Sequence, residues 1–390
     1  GQDGLDAPDP PTGVAGTAGD GQVSVAFTAP SDVGTSAITG FVAQVGALGT
    51  SGTSSPLVVT GLTNGNAVSA KVWAINAYGT SAPSAASSNF TPVGIRGVFG
   101  GGADANGSVD VMEYITISST GNVTDFGNLV AAASYVFNGQ CASTTRGIFA
   151  GGFRAAHLSL SDSTQYITIA NTGNTTDFGN LVAGSYGGAS VSSATRGVFI
   201  GGYTSGYVNT IQYITIANTG NTTDFGDLVA ASYANSAFCS STRGVNVGNQ
   251  TSGGVTNRID YITIASTGNT TDFGDLTVVR VHGGALGNST RGLMGGGALS
   301  SGVSNVIDYV TIASAGNATD FGNLAEAKLG NSGVSNSTRG VFGGGENASA
   351  KLNVMEYVTI NSTGNSTDFG DLSGAHRLLG GTSSGHGGIS

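Results

Sequence analysis

Two charged residues recur at fixed places along this chain. Arg96, Arg146, Arg196, Arg243, Arg291 and Arg339 each precede a glycine, and Asp125, Asp177, Asp224, Asp272, Asp320 and Asp368 each open an Asp-Phe-Gly step. Carboxylates hydrolyse glycosidic bonds when two of them flank one bond in different environments. Six identical copies define no such single site. The series therefore predicts one polar clamp per copy, either Arg to Asp or Arg to backbone carbonyls. Other chemistry is poorly supplied. The four histidines (His157, His282, His376, His386) lack metal-ligand spacing, and the chain has no P-loop, nucleophile elbow or Cys-X-X-Cys. Asp104-Ala105-Asn106-Gly107-Ser108-Val109-Asp110 alternates oxygen ligands as calcium loops do, but it occurs once and has no distal Glu. We expect no enzyme, no cofactor and no metal.

The clamps belong to a repeat. One copy runs Ser289-Thr290-Arg291-Gly292-Leu293-Met294-Gly295-Gly296-Gly297, then Ile307-Asp308-Tyr309-Val310-Thr311-Ile312. A Gly316-Asn317 turn leads to Thr319-Asp320-Phe321-Gly322-Asn323-Leu324. A period near 50 with a glycine pair per copy marks a radial β architecture. Each copy supplies three clear strands and room for a fourth, such as Tyr135 to Cys141. Apolar residues fall on both strand faces, as expected where each sheet is sandwiched between neighbours. Asn-X-Thr triplets stand at Asn122, Asn174, Asn221, Asn269, Asn317 and Asn365. Asn tolerates positive φ and Thr favours strands, so turn chemistry accounts for them without a sugar.

Bulk composition narrows the class. The 390 residues include 67 Gly, only 9% are charged, and the formal net charge is −10. That balance argues against nucleic acid as a main partner. No apolar run approaches the ~18 residues of a membrane span, so no membrane insertion is expected. Cys141 and Cys239 are too few for a disulfide framework and read as free, buried thiols. The chain opens on Gly with no recognisable signal peptide, as a processed protein or a segment of a longer one would.

Three regions follow: a polar linker over 1–9, a β-sandwich over 10–92 and the repeats over 93–390. In the second region Gln22-Val23-Ser24-Val25-Ala26-Phe27 alternates with period two. Val68, Ala70, Val72 and Ala74 share one face, with Lys71, Trp73 and Ile75 on the other. Strands at this spacing imply a sandwich of about seven. The only tryptophan, Trp73, then lies outward beside Ile75, against a neighbouring strand or domain or as a protein interface.

Residues 10–92 resemble a fibronectin type III module. The matching text is Pro10-Pro11, Val23 and Val25, Gly61-Leu62-Thr63-Asn64-Gly65, Val72-Trp73-Ala74-Ile75-Asn76 and Gly79-Thr80-Ser81. The family's usual core Trp is Phe27 here and its corner Tyr is Val68, which removes the corner hydrogen bond. There is no Arg-Gly-Asp, so integrin binding gains no support. Residues 93–390 resemble kelch β-propellers through Gly101-Gly102, Tyr114 and Phe126 and their counterparts. A copper oxidase of that type would need a His pair with Tyr and Cys ligands, which the chain does not supply. There is no room for an inner strand before Arg96, and His376 to Ile389 is spare, with Gly387-Gly388-Ile389 in register with Arg291-Gly292-Leu293. The resemblance thus implies an all-β chain: a sandwich plus a six-bladed propeller closed by the C-terminal strand.

In such a blade, strands a to d run from inner to outer. The a–b and c–d turns lie on one face and the b–c loops and d–a crossings on the other. The turns are nearly constant among the six copies, whereas the loops and crossings vary, which reads as scaffold against binding face. The varied set includes Phe153, Arg154 and His157, then Tyr203 and Tyr207, then Arg258 and Lys351. The inner-strand entry reads Ser185, Ser232, Arg280, Lys328 and His376, with Ser134 nearest in the first copy. A channel mouth, hydroxyl-rich on one side and basic on the other, would take an anionic sugar or carboxylate, with Tyr186 and Tyr233 for stacking.

Kelch-type copies of this wording joined to a fibronectin-like module resemble structural proteins of tailed bacteriophages, marine ones especially. The resemblance implies a virion protein of a tail fibre, baseplate or capsid surface, present in multiple copies. Its partners would be other virion proteins or a host-surface glycan. A secreted adhesin or lectin is the alternative, and a polysaccharide-cleaving propeller enzyme a distant third.

Overall fold

The computed structural model describes residues 5–389. Among them every regular element is a β-strand except one short turn of 3-10 helix, Ala155–His157. No helix among them is long and apolar enough to cross a membrane. The chain divides into two compact units, one ending at Ile95 and the other starting at Arg96.

The first unit holds two antiparallel sheets. Thr12–Gly19, Gln22–Thr28 and Leu57–Thr60 form one; Leu48–Gly52, Ile38–Val45, Ala70–Asn76 and Gly79–Thr80 form the other. Alternation puts Val23, Val25, Phe27, Phe41, Ala43, Val72 and Ala74 into one shared core. Trp73 and Ile75 stand on the opposite face of their strand, half-buried. Beyond Thr80 a period of three takes over. Ser81, Ser84 and Ser87 donate backbone N–H groups to the carbonyls of Ala74, Val72 and Ala70. Their hydroxyls accept the N–H groups of the same three residues. Residues 1–4 of the expected linker lie outside the described residues. Asp6 and Asp9 are tied to this unit through bonds to Thr35 and Asp32.

Among the described residues the second unit carries five four-stranded sheets with one strand order, a three-stranded sheet that lacks the first strand of that order, and three two-stranded hairpins. In the third copy the order is Ala189–Ser192, Arg196–Ile200, Val208–Thr215 and Thr223–Ser232, lettered a to d. The first copy takes its strand a from the far end of the chain: Gly380–Ser383 pairs with Arg96–Gly100, Ser383 opposite Gly97. The spare C-terminal segment thus supplies a strand to the first copy. It ends earlier than the Gly387-Gly388-Ile389 alignment implies, because Arg96 already occupies the place of the Arg-Gly step. Past Ser383 the tail turns in among the a strands, and Gly387 N–H donates to the Gly287 carbonyl.

The second copy has three regular strands: Arg146–Ala150, Ser163–Thr168 and Thr176–Asn180. Its expected inner strand, Tyr135 to Cys141, is interrupted. Phe137 N–H bonds Ala150 and Ile148 N–H bonds Cys141, yet the stretch from Tyr135 to Arg146 is two residues longer than that from Gly187 to Arg196. The surplus bulges out as Asn138-Gly139-Gln140. Gln140 Nε2 donates to Ser335 Oγ at 2.8 Å, and its Oε1 accepts from Ser383 Oγ. Asn138 Nδ2 donates to the Gly283 carbonyl at 2.8 Å. The bulge stitches four copies together where their a strands converge. The fourth copy, whose Val245-Asn246-Val247-Gly248-Asn249 departs from the repeat, still forms a regular strand b, Arg243–Val247.

Candidate functional site

On the side of the a–b and c–d turns the six copies repeat one set of bonds. In copies two to six the residue three before the arginine caps the turn: Ser143, Ser193 and Ser240 hydroxyls, and the Asn288 and Asn336 side-chain carbonyls, accept the arginine N–H. The guanidinium then lies over the tyrosine of its own copy, 4.2 to 4.5 Å from the ring centroid in all six. Its Nη1 donates to the next copy's backbone: Arg96 to Ile169, Arg146 to Ile216, Arg196 to Ile264, Arg243 to Ile312 and Arg291 to Ile360. Arg339 donates back to Ile117 of the first copy. The clamp is therefore arginine to carbonyl. The aspartates of Asp-Phe-Gly are exposed and take no part in it.

The asparagines of the Asn-X-Thr triplets do related work. Oδ1 of Asn174, Asn221, Asn269, Asn317 and Asn365 accepts a backbone N–H from the preceding copy, and Asn122 accepts one from Asp371. The glycine of Asp-Phe-Gly explains itself here. Gly226 has φ +150°, and a Cβ on it would run into the Gly268 carbonyl of the next copy. The nearly constant residues thus bind copy to copy.

The opposite side has an equally regular backbone with irregular side chains. In each copy the crossing residue bridges the first loop residue, which pairs with a second. The triads are Arg377/Ala103/Ser108, Ser134/Phe153/Leu160, Tyr186/Tyr203/Tyr207, Tyr233/Gln250/Val255, Val281/Ala298/Val303 and Leu329/Glu346/Lys351. One step further, Tyr135, Gly187, Ala234, His282, Gly330 and Leu378 converge. All six have φ between +53° and +68° although four are not glycine, a conformation that side chains resist. They line a cavity of about 20 Å³, with Asn138 beneath, enough for one water. Asn138 Oδ1 is buried there without a protein partner.

The basic channel mouth does not form. Arg280 and Lys328 are fully buried. Arg280 Nη1 meets Asp308 Oδ2 at 2.9 Å while Nε and Nη2 donate to the Gly296 and Met294 carbonyls. Lys328 Nζ lies 3.6 Å from Glu356 Oε1. Burial pulls both cations below their ordinary pKa, opposed by Asp308 and Glu356. His376 is buried as well. The pattern comes from a second row, the strand-c residue before each tyrosine: Glu113, Gln165, Gln212, Asp260, Asp308 and Glu356, all buried. Gln165, Gln212, Asp308, Glu356 and Glu113 accept the N–H of Val130, Val182, Thr277, Ala325 and Ser373, each one residue past a conserved leucine. Where this acceptor is neutral, the crossing offers Ala133 or Ser185. Where it is a carboxylate, Arg280, Lys328 or His376 occupies the crossing, or Arg258 pairs with Asp260 at 2.7 Å. Arg280 and Lys328 balance carboxylates inside the frame and are withdrawn from any ligand. The first-copy member of the row is Ala133, one residue before Ser134.

The aromatic residues do come together. Tyr186 contacts Tyr135, Phe153, Tyr203 and Tyr233, with centroids 5.1 to 6.0 Å apart. Tyr207 stacks on Tyr233 at 5.9 Å and 10°. His282 packs against Tyr135 and Tyr233, whose hydroxyl lies 3.1 Å from Nε2. Burial beside these rings, with Arg377 adding repulsion, pushes His282 down to about 4, so it is neutral at pH 7. Tyr135 and His282 belong to this group but escape motif reading, since one is an inner-strand residue and the other a lone histidine. The signal that finds them is their equal offset before each Arg-Gly step, apart from the two-residue bulge. Arg154 is half-buried and donates to Ser161 Oγ, outside the group, and His157 is exposed.

Among the described residues no three metal-ligating side chains gather. Asp104 instead caps its own turn through the Asn106 N–H. Cys141 and Cys239 are free and buried, and burial raises Cys239 to about 12. No protein-family model matches the chain, and no curated protein matches it.

Proposed function

We propose that this chain is a non-enzymatic structural protein of a bacteriophage virion. In this reading the second unit is a six-bladed kelch-like β-propeller closed by the C-terminal strand, and the first is a fibronectin type III-like sandwich that attaches or spaces it. The propeller reading rests on the shared a-b-c-d order and on bonds that join the sixth copy to the first as they join every other neighbouring pair. The sandwich reading rests on two sheets sharing one core. Trp73 and Ile75, half-buried on an outer sheet face, suit a contact with a neighbouring virion protein.

One observation carries the binding role. The turn side is occupied by bonds that repeat copy for copy, while the loop side holds varied side chains on an equally regular backbone. The loop side therefore meets the partner, a host surface or another virion protein. A map of the particle at side-chain resolution tests this. The reading requires multiple copies on the particle surface with the loop side outward or against a neighbour. Absence from the particle would replace it with the adhesin or lectin alternative, which the gathered aromatic residues favour.

A further inference from the structure

The six loop-side triads share one backbone plan, so each copy controls for the others. Copies two to four put Phe153, Tyr186, Tyr203, Tyr207 and Tyr233 into it, and Tyr135 with His282 closes the group. The fifth copy puts Val281, Ala298 and Val303 into equivalent places and forms the same bridges. The frame therefore does not require these rings. They are also half-buried rather than buried, unlike the frame phenylalanines such as Phe126, Phe178 and Phe225.

We infer that this aromatic sector binds a neutral saccharide chain, with pyranose faces lying on the tyrosine rings and hydroxyl groups meeting the ring edges. The inference rests on the reading of the loop side as the display face and names its ligand class. Rings with a negative face attract the slightly positive C–H groups of a sugar face, and tyrosine adds an amphipathic edge at low entropic cost. Polar groups here are uncharged: Tyr233 with His282, and Tyr207 accepting from Gln250 Nε2 at 3.3 Å. Among the described residues the Tyr135, Tyr186 and Tyr203 hydroxyls have no hydrogen-bond partner, which leaves them for ligand. The unpartnered Asn138 Oδ1 adds a buried acceptor beneath the group. An anionic sugar is disfavoured because Arg280 and Lys328 are enclosed and paired. Arg377, the cation that helps to depress His282, is paired with Glu346 at 2.9 Å, so neither an anionic nor a cationic ligand finds a free counter-charge here, and a nucleobase chain is disfavoured by the net charge of −10.

Saturation-transfer NMR on the whole chain tests this with maltohexaose, cellohexaose and chitohexaose, and with hexagalacturonate as the anionic probe. At least one neutral hexamer should bind and hexagalacturonate should not. Grafting the fifth copy's triad onto the third (Tyr186→Val, Tyr203→Ala, Tyr207→Val) should weaken binding at least tenfold, with Tyr203→Ala alone as the milder variant. Lys351→Ala, in a triad remote from the rings, should leave it unchanged. The proposal is overturned if no neutral hexamer binds, if the tyrosine variants bind as the parent does, or if hexagalacturonate binds and Lys351→Ala abolishes it. A particle map with the loop side against another protein, together with no saccharide binding, overturns the saccharide and keeps the display face. A map with the turn side against the partner overturns the display face itself.

Discussion

The two sides of the repeat unit use repetition in opposite ways. On the turn side arginine, asparagine and glycine recur because each meets the backbone of the next copy, and one backbone asks the same thing of every neighbour. On the loop side the backbone recurs while the side chains do not. Charge behaves likewise in the interior. Equivalent positions hold the neutral Ser185 with Gln212 in one copy and the ion pair Arg280 with Asp308 in another. Identity among copies marks a bond to the next copy. Compensated change marks an interior pair, and uncompensated change marks side chains on which the frame does not depend.

The largest effect should come from breaking a compensated pair. Arg280→Met leaves Asp308 buried without its cation, and unfolding stability should fall by about 3–5 kcal/mol. The double change Arg280→Ser with Asp308→Gln, copying Ser185 and Gln212, should recover most of the loss in urea titrations. If the double variant is as weak as the single one, the copies are not interchangeable in this row.

Next in size is the buried tail. His386 Nδ1 accepts the Gly388 N–H, so its proton sits on Nε2, 3.2 Å from Ser192 Oγ. Burial lowers its pKa from 6.5 to about 4. A histidine depressed on folding binds fewer protons in the native state, so stability is full above pH 6.5 and falls as pH drops toward 4. The slope is at most about 1.4 kcal/mol per pH unit for this group, and His282, also lowered to about 4, adds one in the same direction. Denaturation midpoints at pH 7 and 5 should show the drop, and His386→Gln should flatten it. A midpoint independent of pH in the parent would contradict the tail's placement.

Gly226→Ala should cost on the order of 2–3 kcal/mol, since φ +150° and the Gly268 carbonyl both oppose a side chain. Gly206→Ala, on the loop side with open space around it, should be close to neutral, both variants being read by urea titration.

Much of the frame was legible in the sequence. Arg-Gly, Gly-Asn and Asp-Phe-Gly recur because their contacts are local to one pair of copies, and the spare C-terminal strand could be counted. The clamp's acceptor could not be chosen, because carbonyls leave no signature in side-chain identity. The basic channel mouth failed for a related reason. Arg280 and Lys328 lie near a crossing that varies, and sequence reading took variation for exposure. Their partners Asp308 and Glu356 lie 28 residues further on and vary with them. The aromatic group was half legible: Tyr186, Tyr203, Tyr207 and Tyr233 were marked as loop-side residues, but their meeting depends on how neighbouring crossings converge. The bulge at Asn138-Gly139-Gln140 was invisible because its partners, Gly283, Ser335 and Ser383, are remote in the chain.

Repeated positions hold the frame, and varied loop-side positions do not. Urea unfolding of two variants tests this most directly: Arg196→Ala, and the graft Tyr186→Val, Tyr203→Ala, Tyr207→Val. Arg196→Ala removes a ring contact and bonds to the Ile264 and Ala265 carbonyls and should cost about 2–3 kcal/mol. The graft, borrowed from another copy of the same backbone, should stay within about 1 kcal/mol of the parent. A graft that destabilises more than Arg196→Ala would place the tyrosines in the frame and contradict the account.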